Sequence, residues 1–230
     1  MSLSAWDLWL FHTINALCGK SEALDLVIGS LDISALKSIV IVATFGALWH
    51  LPSKDRQYQR EILLMLFAAV AASLVLNRSI SFIMPFRTRP MSAGDIGYNA
   101  PLKNHHPDLE SWSSFPSDNA TLLFAVLTCF WFVSRGWALG FALFSIVALL
   151  ARIYLGVHYP LDVVVGAALG VGVALALVGE RARAAVARPL LTLEQTAPAY
   201  FYGLLFAALF EMATLFSLTR FVGKALYRLL

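Results

Sequence analysis

Apolar residues in this chain come in long unbroken blocks, not in the two-residue alternation of a strand or the narrow stripe of a surface helix. Six blocks are long enough to predict helical spans, at roughly 34–51, 62–84, 117–134, 136–155, 160–179 and 198–218. A hydrocarbon layer about 30 Å thick takes about 20 helical residues to cross, and the 230-residue chain holds six such spans with short connections. An earlier stretch, 4–19, is shorter and interrupted, with Trp6 and Trp9 at one end, and predicts an interfacial or half-inserted helix. The expected fold is all-α: a polytopic membrane helix bundle of about six transmembrane helices plus an N-terminal interfacial helix. It forms a single integral membrane domain over 1–230, in which 198–230 is an extra C-terminal span with an interfacial tail carrying Arg220, Lys224 and Arg228. Gly166, Gly170 and Gly172 in the fifth span are the small residues that let helices approach closely.

Composition sharpens the class. The chain is 59% hydrophobic and 13% charged, with a mean hydropathy of +0.73, whereas soluble domains carry about 25% charged residues. A soluble one-core enzyme is excluded. The net charge of +3 is too small and too dispersed for nucleic acid. Cys18 and Cys129 lie far apart in apolar runs, with neither disulfide nor metal spacing. The first 20 residues contain Asp7 and His12 and lack a basic leader, so no cleavable signal peptide is expected.

Orientation follows from the basic residues. Lys54, Arg56, Arg60, Arg135, Arg181, Arg183 and Arg188 fall in connections on one side by parity, which the positive-inside rule places in the cytoplasm. The long polar interval 85–115, with four prolines, lies on the opposite side and is long enough to be functional. That side also carries Arg78, Arg87, Arg89, Lys103 and Arg152, charges that a ligand would explain.

Three segments put charged or capping groups at apolar helix ends, where lipid makes them expensive. In the first, Arg78 precedes the pair Arg87 and Arg89, and planar guanidinium forks match phosphate oxygens; snorkelling toward the interface is the competing explanation. In the second, Ser113-Ser114-Phe115-Pro116-Ser117-Asp118-Asn119 opens a span, as ordinary capping or as an anion site at a helix N-terminus. In the third, Arg152, His158 and Asp162 sit within eleven residues between two spans. Four residues separate His158 from Asp162, so on a helix a carboxylate would orient the ring and leave its other nitrogen as nucleophile or base. All three segments share one membrane face, which describes a phosphoryl-transfer site. His12 and His50 read as interfacial bystanders, and Glu211 in the last span as a proton or partner site, or as one member of an ion pair.

These residues resemble the type 2 phosphatidic acid phosphatase (PAP2) superfamily of membrane lipid phosphatases, whose pattern is Lys-x6-Arg-Pro, Pro-Ser-Gly-His and Ser-Arg-x5-His-x3-Asp. Arg89-Pro90, Pro116-Ser117 and Arg152-x5-His158-x3-Asp162 carry the match, with 62–180 as the catalytic core and the bacterial undecaprenyl pyrophosphate phosphatases as the most similar branch. The resemblance implies His158 as nucleophile through a phosphohistidine, and Asp162 as its orienting carboxylate. Arg89, Arg152, Ser117 and neighbouring N–H groups, with Asp118, Arg87 and Arg78 nearby, are the implied phosphate cradle. No cofactor or metal is implied. The implied partners are a polyprenyl (lipid) phosphate substrate and membrane lipids, in the bacterial inner membrane with the site facing the periplasm or exterior.

Two positions depart from the pattern. Phe82 stands at the first-motif lysine, with Arg78, and less directly Lys37 or Lys103, as substitutes. Asn119 stands at the second-motif histidine, which protonates the leaving oxygen in the family; such an acid is worth about 10²–10⁴-fold. Three explanations fit: an engineered change that traps an inactive state, another acid (His105, His106 or Asp118), or a substrate that needs less acid. A diphosphate expels a phosphate monoester with a second pKa of about 6, far less basic than the alkoxide expelled from a monoester. The expected activity is therefore hydrolysis of undecaprenyl (polyprenyl) diphosphate for carrier-lipid recycling. Its rivals are action on another lipid phosphate, and a silent lipid-phosphate binder or transporter.

Overall fold

In the computed structural model, residues 4–94, 96–102 and 112–213 are described, and all their regular structure is helical. The helices are α1 (Ala5–Asn15), α2 (Glu22–Asp32), α3 (Ser34–His50), α4 (Arg56–Ile83), α5 (Asp118–Val133), α6 (Arg135–Tyr154), α7 (Pro160–Leu177), α8 (Glu180–Thr196) and α9 (Pro198–Ala213). Six of them overlie the predicted spans. By length and apolarity α4, α6 and α7 qualify alone to cross a membrane, and α2 with α3, bent by 50° at their junction, qualify together. The apolar helices α5 and α9 are 16 residues each, about 24 Å long. Ser117 sets the start of α5 by accepting a hydrogen bond from Ala120 N, with Pro116 just before it.

In lipid the tails are as apolar as leucine, so helix association rests on close packing and buried hydrogen bonds. At the centre α5 packs against α7, α4 and α6. A Cβ added to Gly166 would sit 2.5 Å from Ser117 O, and one at Gly170 would sit 2.2 Å from Thr121 O, so glycine is what permits the α5–α7 contact. Gly172, expected to share this task, has no neighbouring atom within 4 Å and points away from the contact. Asn77 of α4 donates to Thr121 Oγ1 at 2.7 Å and ties α4 to the same seam.

Two helices had no counterpart in the hydrophobic pattern. One, α2, carries Asp25 and Asp32, both buried against α3, α6 and the loops instead of facing water. The other, α8, lies across the α4 end opposite the long polar interval. There Glu61 accepts from Arg183 (2.6 Å) and Arg188 (2.9 Å), and Arg60 pairs with Glu194 (2.8 Å).

The N-terminal expectation needs correction. The interfacial helix expected at 4–19 is α1, but Asp7 and Phe11 in it are fully buried. Asp7 pairs with Arg87 and accepts from Leu161 N at 2.8 Å, and Asn15 donates to Tyr154 O at 2.8 Å. Asp7 and Asn15, eight residues apart on one face, attach α1 to α6, α7 and the loop, while Trp6 and Trp9 remain exposed.

Candidate active site

The site lies where the N-terminal ends of α3, α5 and α7 meet the C-terminal end of α6. Gly156, at φ +72°, turns the chain out of α6 against the Tyr98 ring, where a Cβ would sit 2.3 Å from Cε2. The turn presents His158 inward, 2% exposed. Its Nδ1 faces Ser114 O at 2.8 Å; a carbonyl only accepts, so Nδ1 carries the hydrogen and Nε2 the lone pair. Arg89 Nη1 and Arg152 Nη2 each stand 3.4 Å from Nε2, one on either side. Burial pushes the imidazole down to about 4, against the pull of Asp162 and with help from the two guanidiniums. At neutral pH the ring is uncharged, with its Nε2 lone pair beside two guanidiniums.

Asp162 holds His158 less directly than four-residue spacing suggested. His158 precedes α7, which starts at Pro160, so the two residues share no helix face. The nearer carboxylate oxygen is 3.7 Å from Nδ1. Asp162 instead accepts from Tyr159 N at 2.8 Å, closing a capping box, and from Ser114 Oγ and Arg87. It fixes Ser114, and Ser114 O orients the ring.

Arg87 also leaves the expected phosphate cradle. It is 3% exposed and bound by Asp7 on one side and Asp162 on the other, with its guanidinium 4.3 Å from the Tyr159 ring. Both ends of its fork are spent on protein carboxylates. Arg89 is different: Nη1 donates to Val157 O at 2.8 Å, and burial beside Arg152 lowers its guanidinium to about 10, still a cation at neutral pH. Arg152 keeps a buried Nε with no partner among the described residues, a donor available to an anion.

At the opposite wall, Arg152 Nη1 donates to Asp32 Oδ1 at 2.5 Å, and the same oxygen accepts from Lys37 Nζ at 2.8 Å. Lys37 Nζ also donates to Asn119 Oδ1 at 2.9 Å. The cation beside the second-motif position is therefore Lys37, reached across 82 residues. Arg78, favoured on spacing, sits outside: it pairs with Asp118 at 2.6 Å over the Trp112 ring, and both side chains are about 30% exposed. Asp118 is thus held by a guanidinium at the rim. Ser117 is fully buried at the start of α5, its N–H given to Asp162 O at 3.0 Å. His105, His106 and Lys103 lie outside the described residues. Asp7 and Asp32 escaped sequence reasoning because no spacing signal links them to partners 80 and 120 residues away.

An apolar groove of about 400 Å³ runs between α3 and α6, lined by Val40, Thr44, Gly136, Trp137, Gly140 and Phe141. Val40 and Thr44 are one and two turns beyond Lys37 on α3, so the groove and the polar site share one helix.

Comparison with known proteins agrees with this geometry. The model of the PAP2 superfamily matches residues 62–185. YbjG of Escherichia coli (strain K12), provisionally named an undecaprenyl-diphosphatase, is 32% identical over 170 residues, covering 71% of this chain and 77% of its own. The crystal structure of Aquifex aeolicus LpxE superposes with a TM-score of 0.56 at 23% identity, covering 75% of this chain and 94% of that one. It shares the fold.

Proposed function

Because this chain belongs to the PAP2 superfamily of membrane lipid phosphatases, we propose that it hydrolyses a polyprenyl diphosphate, undecaprenyl diphosphate above all, to the monophosphate and inorganic phosphate. The observation that carries this reading is His158 Nε2, deprotonated by the Nδ1 contact and flanked at 3.4 Å by Arg89 and Arg152. Such a nucleophile attacks the terminal phosphorus while the guanidiniums hold its oxygens, charge stabilisation that grows toward the transition state. The P–Nε2 bond forms as the bond to the bridging oxygen breaks. Water then adds to phosphorus, the electron pair returns to Nε2, and the water hydrogens leave on the inorganic phosphate. The name of the Escherichia coli relative points to the same substrate. The Arg60, Arg183 and Arg188 cluster at the other bundle end supports a cytoplasmic assignment for that end and a periplasmic or exterior site.

The test is phosphate release from undecaprenyl diphosphate by the purified full chain in liposomes. Turnover by the wild type and its loss in His158→Ala are expected; full rate in His158→Ala refutes the nucleophile. Asn119 at the acid position favours a second reading, a lipid-phosphate binder without turnover. Binding with no phosphate release, unaltered in Asn119→His, would select it.

A further inference from the structure

Asn119 puts an amide, not a proton donor, at the second-motif position, yet a cation stands at that spot. Lys37 Nζ has two of its three hydrogens directed to Asp32 Oδ1 (2.8 Å) and Asn119 Oδ1 (2.9 Å), which leaves one donor among the described contacts. The ammonium is 6% exposed. With its oxygen turned to Lys37, the Asn119 amide turns its NH₂ away from it as a further donor. Asp32 bridges Lys37 to Arg152, whose other nitrogen flanks Nε2. Nucleophile and lysine thus face one another across the two fixed groups Arg152 and Asp32.

We propose that Lys37, held by Asp32 and Asn119, is the catalytic residue that receives the leaving oxygen, and that it acts by charge without surrendering its proton, which makes the enzyme selective for lipid diphosphates over lipid monophosphates. The inference rests on the phosphatase reading above. As the P–Nε2 bond forms, the bond between phosphorus and the bridging oxygen breaks, and its electron pair stays on that oxygen. The oxygen becomes a third terminal oxygen of the lipid monophosphate, facing the Lys37 ammonium. No proton needs to move: the leaving group's second pKa is about 6, so the lipid monophosphate departs as an anion at neutral pH. An alkoxide is too basic to leave without a proton. Asp32 has a matching part: its carboxylate keeps Lys37 and Arg152 together despite their like charge.

The experiment compares the full chain in liposomes on two probes, undecaprenyl diphosphate and undecaprenyl monophosphate, with His158→Ala as control. The wild type is expected to favour the diphosphate by at least about 10²-fold in kcat/KM. Lys37→Met should lower kcat on the diphosphate by about 10²–10³-fold, as removal of one oxyanion donor does, with a smaller change in KM. Lys37→Arg, which keeps the charge and the fold, should recover a large part of that kcat. Asn119→His should raise turnover of the monophosphate selectively. Equal wild-type turnover of both probes, or wild-type kcat in Lys37→Met, overturns the inference while a dead His158→Ala leaves the phosphatase reading intact. An active His158→Ala overturns both.

Discussion

Asp7 offers the sharpest test of how the N-terminal helix is built into the site. It is fully buried, pairs with Arg87 and accepts from Leu161 N at 2.8 Å. Removing one partner of a buried ion pair costs about 3–5 kcal/mol; because Arg87 keeps Asp162, Asp7→Ala should sit near about 3 kcal/mol for the charge. The orphaned Leu161 N–H adds about 1 kcal/mol. A total of about 4 kcal/mol is large against the 5–15 kcal/mol that holds a domain together, and at about 2–4 °C per kcal/mol for a chain of this size it lowers Tm by about 8–16 °C. Freed on one side, Arg87 moves toward Asp162 and disturbs the Ser114 carbonyl that orients His158. With reacting groups displaced by a fraction of an ångström to an ångström, kcat should fall by about 10–100-fold and KM by less. Tryptophan fluorescence melting of the detergent-solubilised chain and phosphate release on the diphosphate read the two effects. Asp7→Asn, which retains an acceptor for Leu161, isolates the charge and should melt between Asp7→Ala and the wild type. An Asp7→Ala protein that melts within about 2 °C of the wild type, with unchanged kcat, refutes the reasoning and returns α1 to a loosely attached interfacial helix.

Three other outcomes follow from the same geometry. Gly170→Ala should destabilise the chain by about 1–3 kcal/mol or more, because Thr121 O blocks the added methyl, whereas Gly172→Ala should leave Tm and rate unchanged; thermal melting separates them. Since burial lowers the His158 imidazole to about 4, the acidic limb of kcat/KM that belongs to His158 should fall near pH 4, and no loss of activity at that pH would contradict the buried, flanked ring. The sign for stability agrees: between about pH 4 and 6.5 the unfolded chain binds the extra proton, so stability is lost as pH falls through that window, which denaturant midpoints at several pH values measure. Arg152→Lys should cut kcat by about 10²–10³-fold with little loss of Tm, because lysine pairs with Asp32 but cannot also reach the phosphoryl oxygens with a fork; an unimpaired rate would argue against Arg152 in the cradle.

Much of this arrangement was legible before any coordinates. Long apolar blocks located α3 to α7 and α9, because a helix in lipid has to be apolar around most of its circumference. The Arg152, His158 and Asp162 cluster was legible because three polar groups between two spans are costly unless used. What escaped detection depends on contacts between distant segments. The α2 segment drew no expectation at all, because nothing local says that Tyr154 and Arg152 wait for Asp25 and Asp32 across the fold. Arg87 and Arg89 are two residues apart and chemically identical, so sequence could not tell that one faces protein carboxylates and the other His158 Nε2. The same limit put Arg78 ahead of Lys37: helix periodicity ranks neighbours along a chain, while the cation at Asn119 arrives from a different helix.

The two faces of the His158 ring carry opposite electrostatic characters. In front of Nε2 stand Arg89 and Arg152, with Lys37 joined to Arg152 through Asp32. Behind Nδ1, past Ser114, lie Asp7 and Asp162 with Arg87 held between them. The front layer draws a lipid phosphate in. In the proposed mechanism the phosphorylated ring would be an imidazolium, and the Asp162 and Asp7 carboxylates are already in place behind Nδ1 to accommodate that charge, which leaves the Nε2 side for the approach of water.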